Sequence, residues 1–211
     1  RKDLPMTGLE LRQRLLAFAL AHFHRAYERT VAERKRALFA GLAGRVLEIG
    51  PGTAPNLAYF PPGIHWIGIE PNRFMHRYAR RAAAQRGISI DLRSGRGEAL
   101  DAEDASVDAV VSTLVLCSVA DVAATLREIR RVLRPGGRFL FLEHVAAPAG
   151  TRARRLQRLI RPVVRCLADG CCPDRETGKA IEAAGFSSLR YERFTLALPI
   201  VGPHIAGVAT K

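Results

Sequence analysis

The chain has 211 residues, of which 48% are hydrophobic and 25% charged, as in a globular protein with one sizeable core. No apolar run approaches the 18 or more residues of a transmembrane helix, so we expect no membrane span. The net charge is +13, from 33 basic and 20 acidic residues.

The basic excess lies at the two ends of the chain. Residues 1–43 carry nine Lys and Arg against four Asp and Glu, and residues 151–211 carry eleven against five. Such an excess suits an acidic substrate, peripheral contact with an anionic membrane, or nucleic acid, and it also arises from ordinary solvated faces. Because the sequence contains no DNA- or RNA-binding motif, we expect no nucleic-acid partner.

Four cysteines are present without the paired C-x-x-C spacing of zinc sites and redox motifs: Cys117, Cys166, Cys171 and Cys172. The two adjacent cysteines have poor geometry for zinc and for a disulfide. We therefore predict no metal site and a cytoplasmic location, where thiols stay reduced.

Residues 9–40 have helical periodicity, with Leu11, Leu15 and Tyr27 on one face at multiples of four residues. The pattern predicts one or two helices in an N-terminal extension, residues 1–43, ahead of a single domain over residues 44–211. This extension has three interpretations: a helix packed on the domain, a lid over the ligand, or a helix lying on a membrane surface.

The domain begins with an apolar strand that ends in a glycine turn. Residues 45–49 form the predicted strand, Gly50 and Gly52 form a tight bend, and Pro55 suits the first turn of a helix. A strand, a glycine loop and a helix N-terminus in this order are the usual start of a nucleotide-type site in an open α/β sheet.

Two acidic residues narrow the choice of ligand. A dinucleotide fingerprint requires glycine where Pro55 stands. Glu48 would repel a diphosphate but attract the cationic end of S-adenosylmethionine. Glu70 follows the second predicted strand, residues 64–69, where its carboxylate can accept hydrogen bonds from two ribose hydroxyls.

Strands and helices alternate through most of the remaining chain. The last two strands are joined by a short turn and imply an antiparallel pair at the sheet edge. The predicted fold is α/β: a Rossmann-like, seven-stranded, mostly parallel sheet with an antiparallel last strand, helices on both faces and the N-terminal helical extension. Further strands are predicted at residues 88–93, 107–112, 138–143, 188–198 and 204–210, helices at 73–86, 119–133 and 175–184, and an irregular helical insert at 146–174.

Four segments, in this order and spacing, resemble the class I S-adenosylmethionine-dependent methyltransferases: residues 47–53, 70–72, 97–99 and 132–137. The resemblance implies a methyltransferase with S-adenosylmethionine as cofactor and S-adenosylhomocysteine as product. Ala54 departs from the family, which has glycine there. Because alanine is also small, we expect the loop to keep its function.

A narrower resemblance, to the methyltransferase-like branch that contains the mammalian alkyl thiol S-methyltransferases, is carried by residues 113–119, 143–145, 169–172, 175–177 and 201–205. It implies methylation of the sulfur of a small lipophilic thiol. Alternatives remain: a C-, O- or N-methyltransferase of a quinone, lipid or natural product, an arsenite methyltransferase, and a non-catalytic basic nucleic-acid-binding protein.

The expected cofactor contacts run from the methionine end through the ribose and adenine to the floor of the site: Glu48, Gly50, Pro51, Gly52, Thr53, Asn56, Glu70, Pro71, Asn72, Gly97, Glu98, Ala99, Thr113, Leu114 and Val115. His144, at the carboxyl end of the fifth strand, is the first candidate for a base or a residue that orients the acceptor. His204 is the second. Cys171 and Cys172 are expected to pack or to form a pocket wall.

Overall fold

A computed structural model describes residues 7–23 and 25–211, so the first six residues of the extension and residue 24 lie outside the described chain. The helices are α1 Gly8–Phe23, α2 Arg25–Phe39, α3 Arg73–Ala84, α4 Val122–Val132, α5 Arg152–Leu167 and α6 Thr177–Glu182. The strands are β1 Arg45–Ile49, β2 His65–Ile69, β3 Ile90–Arg93, β4 Val107–Thr113, β5 Leu133–His144, β6 Ser188–Thr195 and β7 Pro203–Thr210.

The strands form one sheet in the order β3-β2-β1-β4-β5-β7-β6. The first five strands of this order pair in parallel, whereas β7 pairs antiparallel with both β5 and β6. The predicted α/β fold with an antiparallel strand pair at the edge is confirmed. The order reverses between β1 and β4, so the carboxyl ends of these strands border the crevice where ligands bind in such sheets.

Apolar side chains cover both faces of the sheet, because the parallel strands are buried on two sides. One core joins Leu47 and Phe141 of the sheet to Ile129 of α4. The opposite core joins Val46 and Trp66 to α2, α3 and the short 3₁₀ turn Pro55–Ala58. The two cores hold the strand ends rigidly, which positions the loops beyond them.

Several element boundaries differ from those predicted. β5 begins at Leu133, which pairs with Val107 before a register shift, so the Pro-Gly-Gly sequence lies in a bulge within the strand. The helix predicted at 119–133 begins only at Val122, because Asp121 is its cap and accepts a hydrogen bond from the Ala124 N–H. The irregular helical insert predicted at 146–174 contains one long helix, α5, with Pro162 inside it.

The N-terminal extension forms two helices that pack differently. In α2, Val31 is buried against the sheet beside β5 and β7. In α1, Leu11 and Leu15 are 50% and 59% exposed, whereas Ala17 is buried. The predicted apolar face of α1 is therefore turned to solvent. Among the described residues, no helix is long and apolar enough to cross a membrane.

Candidate active site at the carboxyl edge of the sheet

The glycine loop after β1 is tied to the end of β2. Gly50 and Gly52 have φ values of 56° and 57°, in the left-handed region that favours glycine. The N–H of Gly52 donates to Glu70 Oε2 over 2.9 Å, and the N–H of Asn72 donates to Glu70 Oε1 over 2.8 Å. These bonds bring the expected methionine side and ribose side together. Pro51, Thr53 and Pro71, which were also expected to contact the cofactor, lie on these same two segments.

Glu70 can still accept hydrogen bonds from a ligand. Each carboxylate oxygen uses one backbone N–H and keeps further acceptor capacity, as two ribose hydroxyls require. The side chain is nearly buried, and burial raises the pKa of Glu70 to about 7. The group therefore gains or loses its charge near neutral pH.

Glu48 lies beneath the loop in a buried hydrogen-bond network. Its Oε1 accepts from Asn56 Nδ2 over 2.7 Å, and its Oε2 accepts from Trp66 Nε1 over 2.8 Å. Asn56 Nδ2 also donates to Thr113 Oγ1 over 2.9 Å. Burial raises the pKa of Glu48 to about 7. Asn56 Oδ1 is buried and has no partner among the described residues, which leaves one acceptor for a cationic group.

The segment expected to flank adenine packs against α4. Gly97 is buried, and a Cβ there would lie 2.9 Å from a threonine of that helix. Glu98 Oε1 accepts from the N–H groups of Ala120 over 2.6 Å and Asp121 over 3.3 Å. Ala99 is exposed. The Glu98 carboxylate thus caps the chain ahead of α4, and its contact with adenine remains a prediction.

The turn after β4 forms the floor below the glycine loop. Leu114 has a φ of 57°, so the chain leaves the sheet there and the apolar run does not continue the strand. A Cβ on Gly50 would lie 2.8 Å from Val115 Cγ2, which shows how closely the loop and the floor approach. A side chain at position 50 would therefore separate them.

Glu143 supports this floor, although the sequence analysis gave it no role in the site. It is fully buried, and its Oε1 accepts from Ser112 Oγ over 2.5 Å and from the Val115 N–H over 3.2 Å. Oε2 accepts from the Leu116 N–H over 3.2 Å. Burial raises the pKa of Glu143. The sequence did contain an indication of this role, because a single acid in an otherwise apolar strand requires buried hydrogen-bond partners.

His144 lies next to two cysteines that are far from it in sequence. Cys171 Sγ is 3.3 Å from His144 Nε2, and one ligand atom each of Cys117, His144 and Cys171 lie within 4.8 Å of one another. Burial lowers the pKa of His144, but Cys117 and Glu143 outweigh it and the net shift is upward. The sequence analysis did not pair Cys117 with His144. The position of Cys117 just past β4, at the ligand-binding end of the sheet, was the feature of the sequence that could have indicated this contact.

His204 is the cross-strand partner of His144, and its ring is fully hydrogen-bonded. Nδ1 lies 2.8 Å from the Gly202 carbonyl, an acceptor, so Nδ1 carries the proton. Nε2 then accepts from the Tyr27 hydroxyl of α2 over 3.3 Å. Burial lowers the pKa of His204, which favours this neutral form. A cavity of about 420 Å³ opens beside it, between the end of β5 and α6.

Helices α1 and α5 together roof the carboxyl edge. Asn72 Nδ2 donates to the Gln13 carbonyl of α1 over 3.1 Å, and Arg12 of α1 lies 3.6 Å from Asp169 just after α5. Gln157 anchors α5, because its Oε1 accepts from the Ala147 N–H over 2.8 Å and its Nε2 donates to the carbonyls of Val145, in the same loop, and of Ile200, in another. Many outward side chains of this roof are apolar, among them Leu9, Leu11, Leu15, Phe18, Leu156, Leu159, Val163 and Leu167.

Comparison with known proteins shows that the sequence is similar to those of methyltransferases. The methyltransferase domain family model covers residues 47–141. Human thiol S-methyltransferase TMT1A is 39% identical over 207 residues, which span 92% of this chain and 85% of the relative. Human thiol S-methyltransferase TMT1B is 40% identical over 196 residues, which span 87% of this chain and 80% of the relative.

Solved structures agree on the fold. The YcgJ protein from Bacillus subtilis superimposes with a TM-score of 0.63 at 18% identity, covering 87% of this chain and 96% of that one. The S-adenosylmethionine-dependent methyltransferase from Aquifex aeolicus does so with a TM-score of 0.57 at 15% identity, covering 95% and 97%. At these identities the likeness establishes the architecture.

Proposed function

Because the chain belongs to the S-adenosylmethionine-dependent methyltransferases, in the family of the thiol S-methyltransferases TMT1A and TMT1B, we propose that it methylates the sulfur of a small lipophilic thiol. The observation that carries the proposal is the identity of about 40% along nearly the whole chain. This match extends beyond the cofactor segments to the part that holds His144 and Cys171.

The cofactor is assigned to the crevice between the glycine loop and the end of β2. Glu70 is proposed to accept from the ribose hydroxyls, and the loop backbone at Gly50, which lies close to Val115, is proposed to face the methionine end. Asn56 Oδ1 accepts from the methionine ammonium, while Glu48 neutralises that charge from below. These contacts are supported by the unpartnered buried oxygen and by the spare acceptor capacity of Glu70.

The acceptor is assigned to the space under α5, near the end of β5. His144 is proposed to orient the acceptor, and its Nε2 lies 3.3 Å from Cys171 Sγ. His204, with both ring nitrogens hydrogen-bonded, is proposed to position His144 from the neighbouring strand. The apolar helices that cover this region are consistent with a lipophilic substrate.

Bound S-adenosylmethionine supplies a methyl group that is already activated on a sulfonium. The protein then has to align the acceptor sulfur with that methyl group and exclude water. Glu143 and the cores beneath the floor keep the turn after β4 rigid, so that the alignment is built into the fold. The nucleophile is the thiolate, and an unperturbed thiol, with a pKa of about 8.5, is mostly protonated at neutral pH, so the acceptor must lose its proton in the site.

An acceptor panel tests the proposed reaction. Purified protein is incubated with methyl-labelled S-adenosylmethionine and alkyl thiols, phenols, amines or arsenite, and the transferred label is counted. We expect label on thiols, increasing with the length of the alkyl chain. Transfer to phenols or amines without transfer to thiols would reject the thiol as acceptor, while the assignment as a methyltransferase would stand.

The roof also supports a proposed location on the face of a membrane. Apolar side chains alternate with arginines along α5, where Leu159 and Val163 are 77% and 60% exposed and Arg155 and Arg158 are also exposed. An amphipathic helix of this kind lies in the interface of an anionic bilayer, where a lipophilic substrate concentrates. The four cysteines are free thiols, in keeping with the cytoplasmic side.

A further inference from the structure

Three side chains from separate segments form a compact cluster of soft ligands. Cys117 follows β4, His144 ends β5, and Cys171 follows α5. Their ligand atoms all lie within 4.8 Å of one another, with 3.3 Å between Cys171 Sγ and His144 Nε2. We propose that Cys117, His144 and Cys171 bind a zinc ion whose fourth position takes the acceptor thiolate.

The separations suit a tetrahedral ion. Zinc bonds are about 2.3 Å to sulfur and about 2.0–2.1 Å to nitrogen, which places neighbouring ligand atoms roughly 3.4–3.8 Å apart. The three atoms need to move by less than a bond length to reach this spacing. All three residues are at most 8% exposed, so the ligand atoms lie in the protein interior.

The surrounding structure holds the cluster in place. The N–H of Cys172 donates to the Cys117 carbonyl over 2.9 Å and joins two of the ligand segments. Arg175 Nη1 donates to the Leu116 carbonyl over 2.7 Å and fixes the same turn. His144 is held at the end of β5 by the ladder to β7. The site is therefore assembled by the fold before any ion arrives.

The ligand count leaves one position open. Cys172 is excluded as a fourth ligand, because its sulfur faces Arg175 Nη2 at 3.7 Å. Among the described residues, the group of metal-ligating side chains contains only the two cysteines and the histidine. Two cysteines, one histidine and an open position form a donor set of catalytic rather than structural zinc sites.

One polar atom beside the cluster is not satisfied by the protein alone. His144 Nδ1 is buried and has no hydrogen-bond partner among the described residues. Such buried unpartnered groups are rare in folded proteins. This nitrogen is not the ligand atom, because Nε2 is the one that faces Cys171, so the zinc proposal rests on the spacing of the three ligand atoms.

The role of the ion rests on the proposed thiol methylation. When the acceptor R–SH binds, a Zn–S bond forms and the S–H proton leaves to solvent, so coordination replaces a protein base. The sulfur electron pair then forms a bond to the methyl carbon, while the carbon–sulfonium bond breaks and its pair stays on the S-adenosylhomocysteine sulfur. The neutral thioether product is a weaker ligand than the thiolate and leaves the ion.

Cobalt substitution tests the site without any turnover. The reduced, chelator-treated full chain is titrated with Co²⁺, which reports thiolate ligation by charge-transfer bands and tetrahedral geometry by strong visible bands. We expect one ion per chain, displaced by Zn²⁺. Cys117→Ser and Cys171→Ser should each weaken binding by at least the roughly 10- to 100-fold typical of changes outside the first shell.

Two cysteines provide matched controls. Cys166 is exposed on α5 and Cys172 faces Arg175, so Cys166→Ser and Cys172→Ser should titrate like the wild type. S-adenosylhomocysteine binding and circular dichroism confirm that each variant is folded. A wild-type chain that takes up no Co²⁺, or a Cys171→Ser chain that titrates normally, would overturn the zinc site.

Addition of an alkyl thiol to the Co²⁺ form, without methyl donor, tests the open position. We expect a change in the charge-transfer bands that the corresponding methyl thioether does not produce. Thiol methylation that survives chelation in a chain without a cobalt spectrum would reject the zinc site and keep the proposed function. A cobalt spectrum in a chain that methylates no thiol would reject the proposed function and keep the metal site.

Discussion

The N–H of Gly52 donates a hydrogen bond to the Glu70 carboxylate over 2.9 Å and joins the ends of β1 and β2 into one rim. The glycine contributes backbone and the acid contributes charge, and both belong to the crevice where the strand order reverses. A change in the charge of Glu70 therefore affects the loop and the proposed cofactor contact together.

Binding of S-adenosylhomocysteine should depend on pH through Glu70. Burial raises the pKa of this carboxyl group to about 7, so it is mostly protonated at pH 6 and mostly ionised at pH 8. Only the ionised form offers both oxygens as acceptors to the ribose. Affinity should fall as the pH drops through 7, by about tenfold between pH 8 and pH 6, as measured by calorimetric titration.

The control for this pH profile is a variant without the titrating group. Glu70→Gln should bind weakly at both pH values with a flat profile. Glu103→Gln, at an exposed position, should keep the slope of the wild type. Equal affinity of the wild-type chain at pH 6 and pH 8 would contradict the assignment of Glu70 to the ribose.

Gly50→Ala should damage both stability and cofactor binding. Its φ of 56° costs an alanine about 1–2 kcal/mol, and the new Cβ would lie 2.8 Å from Val115 Cγ2, which adds roughly 1–3 kcal/mol of overpacking. Gly63→Ala is the matched control, because φ there is 80° but no atom lies within 4 Å of the added Cβ. In urea unfolding, the free energy of unfolding should fall more for Gly50→Ala than for Gly63→Ala. Equal losses would contradict the close approach of Gly50 to Val115.

Tyr27→Phe should weaken the attachment of α2 to the sheet. The change removes the donor to His204 Nε2 and leaves a buried acceptor without a partner, at a cost of about 1–3 kcal/mol in the free energy of unfolding. Tyr78→Phe is the control, because that hydroxyl bonds Arg77 at the surface and should change stability by less than about 0.5 kcal/mol. Indistinguishable denaturation midpoints would mean that the Tyr27 bond contributes nothing.

The roof should bind anionic vesicles. Leu159→Glu removes an exposed apolar side chain whose burial in the bilayer would contribute about 1.5–3 kcal/mol. The affinity for vesicles, measured by co-sedimentation, should therefore fall by at least about tenfold. Ser188→Glu adds the same charge at an exposed position on β6 and should leave binding unchanged. High salt should weaken vesicle binding of the wild-type chain and of the Ser188→Glu variant. If neutral and anionic vesicles bind equally, the arginines have no part in the contact.

Local patterns were sufficient to predict the sheet and the loop that begins the site. The alternation of strands and helices, the Gly50–Gly52 bend and the acid at the end of β2 all depend on short stretches of chain, where propensity and spacing act directly. The expected α/β fold was therefore confirmed. The boundaries were wrong where one contact decides them, as at Asp121, whose cap makes α4 begin at Val122, three residues beyond the predicted start.

The amino-acid sequence by itself determined the fold class, the position of the glycine loop and the methyltransferase family. Only the tertiary structure decided that Glu98 binds the N–H groups just ahead of α4, that Glu143 supports the floor, and that Cys117 and Cys171 meet His144. Glu98 is 22 residues from the N–H that it caps, and Cys171 is 27 residues from His144. No local period encodes contacts at such separations, because they are set by how the sheet and its helices pack.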